Sequence, residues 1–489
     1  MARRGGGGPT VEARRRGIDG TTAACDGVRG PPPAALASVC SAAKGRGAAS
    51  GERNRTLRSV PDFPVRPLPR FARIRQALPS DRIDDVAATV RSELERIGLT
   101  RQLKRGASVA ITAGSRGIAD IPLVTRTVAD VVRAAGAQPF VVPAMGSHGG
   151  ATPEGQRHVL AEYGITEQSV GAPIRATMDT VELGRLPSGA RVYFDALAAQ
   201  ADATIVVNRV KAHTAFRGPI ESGLCKMTSI GLGKQLGAEQ VHAFGLKEHI
   251  PLAARLSLEH NNVVAGLALV ENAAHELAVI RATLPDGFLE TDRELLETAN
   301  AYLPRIPFEH LHVLVVGWLG KNISGSGMDY NVVGMWRRIG GDQVPNFERI
   351  VVLDLTEESD GNGLGVGIAD FTTRRLFDKL DLDKTYMNGL TAGALAAIKI
   401  PIVLASDRLA LGVALHAAGV HESPRVAIVR STLELGELWV SEALVDDVAA
   451  HPRLEMDGPL EELPFDAHDR LLLVSQPHTR ADVPSRAGV

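Results

Sequence analysis

Five residues of this chain sit where their chemistry stands out from an otherwise apolar local sequence: Arg116, His148, His213, Lys226 and His242. Arg116 lies in Thr112-Ala113-Gly114-Ser115-Arg116-Gly117. His148 lies in Met145-Gly146-Ser147-His148-Gly149-Gly150-Ala151-Thr152, and His213 in Val207-Asn208-Arg209-Val210-Lys211-Ala212-His213-Thr214. Lys226 ends Glu221-Ser222-Gly223-Leu224-Cys225-Lys226, and Gln240-Val241-His242 follows. Imidazoles titrate near neutral pH and can give and take protons. A guanidinium offers a carboxylate a planar two-pronged fork. Each residue alone has a bland reading. A loop histidine is usually solvated, Arg116 alone is a surface charge, Lys226 alone a snorkelling residue, and Cys225 a small buried hydrophobe. The joint pattern is harder to dismiss, because glycine and polar residues set directly after apolar runs are what site loops look like.

The elements that must position these residues can be read from periodicity. Ser108–Ala113, Phe140–Val142, Ala203–Val207 and Val263–Val270 are short β-branched or apolar runs that read as strands. Pro122–Ala135 carries Leu123, Val128, Val131 and Val132 at helical spacing and stops at Gly136. Strand, helix, strand in short order predicts βαβ units on a largely parallel sheet. In such a sheet ligands bind at the carboxyl ends of strands, so three strand ends would deliver Arg116, His148 and His213 to one rim. The spacing predicts a helix over Glu290–Leu303. It predicts further strands at Leu311–Val316, Ile350–Leu355, Ile402–Ala405 and Arg425–Val429, with helices at Phe371–Leu380 and Arg408–Ala418. The expected organisation is a disordered, basic, Gly/Pro-rich tail over residues 1–60, an α/β domain over 61–285 and a linker helix over 286–304. A second α/β domain over 305–475 and a loose tail over 476–489 complete it.

Composition narrows the function. The chain has 489 residues, a net charge of −2 and 44% hydrophobic residues, an ordinary globular balance. The basic excess is confined to the first 60 residues, which hold 11 Lys/Arg against 4 Asp/Glu. Near-neutral charge argues against nucleic acid as a partner. No uninterrupted apolar stretch approaches the ~18 residues of a membrane span, so no membrane partner is expected. No apolar run follows Arg3-Arg4 or Arg14-Arg15-Arg16, so a secretory leader is not expected and a cytoplasmic location is. Cys25, Cys40 and Cys225 cannot build a disulfide framework or a cysteine-rich metal centre. Gly361-Asn362-Gly363-Leu364-Gly365-Val366-Gly367 lacks the glycine register of a dinucleotide fingerprint and reads as a flexible loop or close backbone packing. Gly233-Lys234 is followed by Gln235 where a phosphate-binding loop needs Ser or Thr.

In their order along the chain, Ser115-Arg116, Gly146-Ser147-His148, His213, Ser222-Gly223-Leu224-Cys225-Lys226 and His242 resemble the nickel-pincer lactate racemase family. The resemblance covers roughly 105–275 well and the second domain loosely. It implies two α/β domains with largely parallel sheets and an active site in the inter-domain cleft. It also implies a nickel-pincer nucleotide (the nickel form of pyridinium-3,5-bisthiocarboxylic acid mononucleotide) tethered to Lys226, with Ser115 and Gly223 as further cofactor contacts and His242 as nickel ligand. His148 and His213 would be the acid and base, and Arg116 would hold the carboxylate of a 2-hydroxy acid substrate. The reaction implied is inversion at C2 by reversible hydride transfer, with cofactor-biosynthesis proteins as partners. This chain departs from the family in a longer His213–Lys226 interval and in Leu224, where the family has glycine. Gly327–Gly334 also lacks the family's substrate-binding Gln and Lys. Substrate recognition is therefore expected to differ, with Lys321, Asn322 and Asn331 as candidate contacts. Two readings from other classes stand beside this one. One is a zinc hydrolase using His148, His213 and His242 as ligands, and the other is a non-catalytic relative that binds a small acid.

Overall fold

The first sheet is set by runs that are apolar at every position. In a computed structural model of the chain, which describes residues 65–115 and 117–474, such runs form strands buried on both faces, as parallel sheets require. In chain order the strands are β1 (Phe71–Gln76), β2 (Ser108–Ala113), β3 (Gln138–Pro143), β4 (Thr180–Arg185), β5 (Arg191–Asp195), β6 (Ala203–Arg209), β7 (Val263–Glu271) and β8 (Leu277–Thr283). They continue with β9 (His310–Leu319), β10 (Asn346–Leu355), β11 (Phe371–Thr373), β12 (Ile402–Leu404), β13 (Val426–Val429), β14 (Glu437–Ser441) and β15 (Leu454–Met456). The five-stranded sheet has the order β3-β2-β6-β7-β8. Its first four strands are parallel and β8 returns antiparallel. The strand period of two sorts its side chains into two cores. Ala110, Val142 and Val206 enter one, while Val109, Ile111, Val141, Ile205 and Val207 enter the other. Each such Val or Ile contributes roughly 1.5–3 kcal/mol on full burial. β4 and β5 form a separate antiparallel ribbon.

The second sheet has eight strands in the order β12-β11-β10-β9-β13-β14-β1-β15. β12 through β13 run parallel, and β14, β1 and β15 are antiparallel additions. Ile350 and Val352 face one core, and Val351 and Leu353 the other. The fold is thus α/β with two largely parallel sheets, as the sequence pattern predicts. All described residues fall within one unit of the chain, Arg58–Val489.

Three expectations need correction. β1 lies inside the segment assigned to the first domain but pairs with β14 and β15 of the second sheet. Its Phe71 and Ile74 are buried in the two cores of that sheet, which is what holds it there. The segment expected as a linker helix is the helix Phe288–Tyr302, and Phe288, Leu295, Leu296 and Ala299 pack into the first domain's core. The predicted helix over Phe371–Leu380 begins as a strand. Phe371–Thr373 pairs with β10 and β12, and Thr373 then caps a short helix, Arg374–Lys379, by accepting the Leu376 N–H. The glycine-rich run 361–367 is close packing. Gly365 adopts φ +105, and a Cβ there would overlap the Ser326 carbonyl. The expected tails over 1–60 and 476–489 lie outside the described residues.

Candidate functional site

β3, β2 and β6 are adjacent and parallel, so their carboxyl ends share one rim. Ser115 follows β2 and His148 follows β3, and the Ser115 hydroxyl is hydrogen-bonded to His148 Nδ1. His148 itself is exposed. Arg116 lies outside the described residues. The His148 loop is clamped from beneath. Gln156, fully buried, donates its amide to the carbonyls of Gly146 at 2.9 Å and His148 at 3.3 Å. Gln156 Oε1 in turn accepts from Lys234 Nζ at 3.1 Å. The same ammonium donates to the Pro143 carbonyl at the end of β3 and pairs with Asp195 at 3.0 Å. Both charges of that pair are completely buried. Lys234 also sits at φ +52, a left-handed backbone that a lysine adopts only where its surroundings compel it. Burial pulls its pKa down and Asp195 opposes that shift. This lysine is a structural tie, with no surface to offer a phosphate.

The third loop is laid against the Lys226 turn by a ladder of polar contacts. Asn208 donates to the Gly223 carbonyl at 2.6 Å. Ser222 Oγ accepts from Lys211 N and donates to Lys211 O, both at 2.6 Å. The buried Glu221 carboxylate accepts the His213 N–H at 2.7 Å and the Gly218 N–H at 3.1 Å, and pairs with Arg217 at 3.3 Å. Gly223 takes φ +92, and a Cβ there would overlap the Asp292 carboxylate. Asp292, from the helix Phe288–Tyr302, accepts the N–H groups of Leu224 and Cys225, each at 2.8 Å. Burial pushes its carboxyl pKa up to about 7, against these two hydrogen bonds. The same burial drives the Cys225 thiol well above its usual range, so Cys225 is an inert core residue. Lys226 ends the short turn Leu224–Lys226 and leads into a π-helical stretch, Met227–Gly231, a form that often marks functional sites. The helix Lys234–Phe244 then carries His242.

The electrostatics bind these pieces together. His213 is pushed down to about 2, first by burial and then by the positive charges of Lys226 and Arg338, with His242 and Lys211 adding to them. His242 is lowered too, by desolvation and then by Lys226. Both rings are therefore neutral near physiological pH. His213 Nδ1 accepts the Ala215 N–H at 3.1 Å, which leaves the ring proton on Nε2. The cluster is electropositive and suits an anion.

Residues of the second sheet's connections meet this cluster. Ser326 Oγ donates to Thr214 Oγ1 at 2.9 Å. Asn331 accepts from Arg217 through Oδ1 and donates from Nδ2 to Asp329 at 2.7 Å, so both ends of its amide are engaged. Lys321 donates to Gly325 O at 2.7 Å and Asn388 at 2.6 Å, and Asn322 accepts from Thr356 at 2.7 Å. Among the described residues, His148, His213 and His242 do not form a group with their ligand atoms within 4.8 Å of one another, as a zinc-hydrolase reading requires. Among the described residues, the one group of three ligand-type side chains with ligand atoms within 4.8 Å of each other is His310, His312 and Glu348. These sit at the amino ends of β9 and β10, and His312 Nδ1 already accepts the Arg425 N–H at 2.9 Å.

Residues 85–237 match the family model described as the lactate racemase N-terminal domain. Over that span the chain is lactate-racemase-like. No curated protein matches the sequence. One solved structure, the lactate racemase apoprotein from Thermoanaerobacterium thermosaccharolyticum, aligns at 15% identity with a TM-score of 0.40, over 68% of this chain and 87% of that one. So slight a likeness transfers nothing. The lactate-racemase-like span contains Ser115, His148, His213, Gly223 and Lys226 and ends before His242. Gln156 and Lys234, which brace the His148 loop, lie inside it; Asp292, which braces the Lys226 turn, lies beyond it. None of the three stands out in the sequence. Gly233-Lys234 drew notice only as a failed phosphate motif, and Asp292 is one acidic residue in an amphipathic helix. Arg338 was equally unmarked. No helix among the described residues is long and apolar enough to cross a membrane.

Proposed function

We propose that this chain is a racemase or epimerase that inverts the C2 stereocentre of a 2-hydroxy acid, using a nickel-pincer nucleotide held on Lys226. The observation that carries the reading is the convergence of Lys226, His213 and His242 in one electropositive cluster, within and just beyond a lactate-racemase-like span. The residues fit such a cofactor. His242 is kept neutral, so its ring has a lone pair for nickel, a metal that imidazole suits. Lys226 is the neighbouring amine, on a turn whose backbone is fixed by Asp292. Ser115 and Gly223 are the further candidate cofactor contacts. When bound, the cofactor supplies the hydride acceptor; cofactor-biosynthesis proteins are the partners that loading requires.

The chain's own residues handle the substrate and its proton. Arg116 is the candidate fork for the substrate carboxylate. His213 carries its ring proton on Nε2, since Nδ1 accepts the Ala215 N–H, and so presents a hydrogen-bond donor for a substrate oxygen. His148 is held through Nδ1 by Ser115, and when the hydroxyl accepts the Nδ1 proton, Nε2 presents a lone pair as base. One ring thus presents a hydrogen-bond donor and the other a lone pair; for His213 to return a proton as an acid it must first take one up at Nδ1, releasing the Ala215 N–H. Burial is the larger cause of the depressed His213 pKa, and a bound carboxylate would offset only the part that the neighbouring positive charges add.

The test is inversion of single enantiomers of 2-hydroxy acids by protein produced with nickel and the cofactor-making enzymes, read by chiral chromatography. His148→Ala and His213→Ala are each expected to lower kcat by about 10²–10⁴ while the cofactor stays attached. Full inversion by either variant contradicts the two-base assignment.

A further inference from the structure

Arg338 lies in the short helical turn Trp336–Ile339, in the connection between β9 and β10. Its guanidinium carbon stands 5.1 Å from the centroid of the fully buried Tyr330 ring. The next residue in that wall, Asn331, holds Arg217, and Arg217 donates to the His213 carbonyl at 2.8 Å. Together with the Ser326–Thr214 hydrogen bond, this seats the Arg338 segment against the loop that carries His213. The neighbouring arginines are balanced: Arg217 pairs with Glu221 at 3.3 Å and Arg337 with Asp370 at 3.5 Å. Among the described residues no carboxylate pairs with Arg338, although it is partly buried. An aromatic face offsets only part of the cost of desolvating a guanidinium. Arg338 is thus a partly buried cation met by an aromatic face and, among the described residues, by no carboxylate.

We infer that Arg338 receives a second anionic group on the substrate, so that the acid inverted is a 2-hydroxy dicarboxylate. The inference rests on the function proposed above and goes beyond it by naming the substrate class. In the function proposed above, the reacting end of the acid lies with His213, Lys226 and His242. Arg338 comes from the other sheet's connections and meets the His213 side of the cluster, where the remainder of a longer acid would lie. One planar fork beside an aromatic ring matches the two oxygens of a carboxylate. The charge of Arg338 also contributes to the depression of His213.

The experiment compares malate, lactate and glycerate 3-phosphate as substrates for the loaded full-length protein and its Arg338→Gln and Arg338→Lys variants. The wild type is expected to favour malate over lactate in kcat/KM by about tenfold or more. Arg338→Gln is expected to shrink that preference by about tenfold or more, and Arg338→Lys to restore part of it. The adduct mass on Lys226 is expected to be unchanged, and calorimetry on the unloaded protein is expected to show malate binding that weakens in Arg338→Gln. Equal losses on malate and lactate overturn the inference, as does an unchanged preference. A preference for the phosphorylated acid overturns the assignment to a carboxylate. Loss of the adduct in Arg338→Gln assigns the arginine to the cofactor's phosphate instead. If wild-type holo-protein inverts none of the three while unloaded protein still binds malate through Arg338, the proposed function fails and the anion site remains. If neither inversion nor binding is seen, both fall.

Discussion

The loops after β2, β3 and β6 and the connection between β9 and β10 meet through Ser326–Thr214 and Arg217–Asn331, yet they are built differently. On the first side, every loop with a candidate catalytic residue is braced by a buried polar group from elsewhere in the same half. Gln156 and Lys234 hold the His148 loop, Glu221 and Ser222 hold the His213 loop, and Asp292 holds the Lys226 turn. On the second side, Asn331 is engaged with its neighbours, and Arg338 leans on a ring with no carboxylate beside it among the described residues. Under the proposed function, the first side would hold the chemistry and the second would leave its charge to be matched by the substrate, a division between shared machinery and recognition.

That contrast can be broken most directly at Lys234. Lys234→Met leaves Asp195 as an unpaired buried charge and is expected to cost about 3–5 kcal/mol, measured by denaturant unfolding. A cost near zero would mean that the tie is not what holds the first wall. Gln156→Leu is milder. It removes two hydrogen bonds to the His148 loop and strands the Lys234 donor, for an expected loss of about 1–3 kcal/mol. It should also lower inversion through His148 while the Lys226 adduct mass stays the same. A proportional loss of adduct would make the clamp a general folding feature instead.

The smallest effect is in the pH dependence of stability. His213 has a folded pKa far below its unfolded value, so on acidification the unfolded chain takes up a proton that the folded chain does not. Its contribution is whole above about pH 6.5 and is lost as the pH falls toward 2. Asp292 works in the opposite sense. Its folded pKa of about 7 exceeds the unfolded value, so its contribution is whole below about pH 4 and is lost as the pH rises toward 7. His213→Asn is therefore expected to lose less stability than wild type between pH 7 and pH 5, and Asp292→Asn to lose more. Parallel curves for all three proteins would contradict the assignment of these burial effects to the first wall.

Much of that wall was legible in the sequence, because its information is local. Ser108–Ala113 reads as a strand with the bounds it has in the structure, and the glycine and histidine residues after β2, β3 and β6 announce loops at one rim. What was not legible depends on distant pairing. β1 has too short an alternation to declare itself, and its partners lie more than 350 residues away. Phe371–Thr373 carries the start of a helical pattern, and only its neighbours β10 and β12 make it a strand. Asp292 and Lys234 act through carboxylate and ammonium contacts across the first half, which no local spacing encodes. The helix Phe288–Tyr302 looked like a connector because its apolar face gives no hint of which core it enters.

The central claim is that the Lys226 turn is where the cofactor is held, beside His213 and His242. Peptide mass mapping of the protein made with nickel and the cofactor-producing enzymes tests it. The account predicts one added mass on the peptide containing Lys226 and none in Lys226→Ala. An unmodified Lys226 peptide, or the same mass on Lys211 or any other lysine, would contradict it.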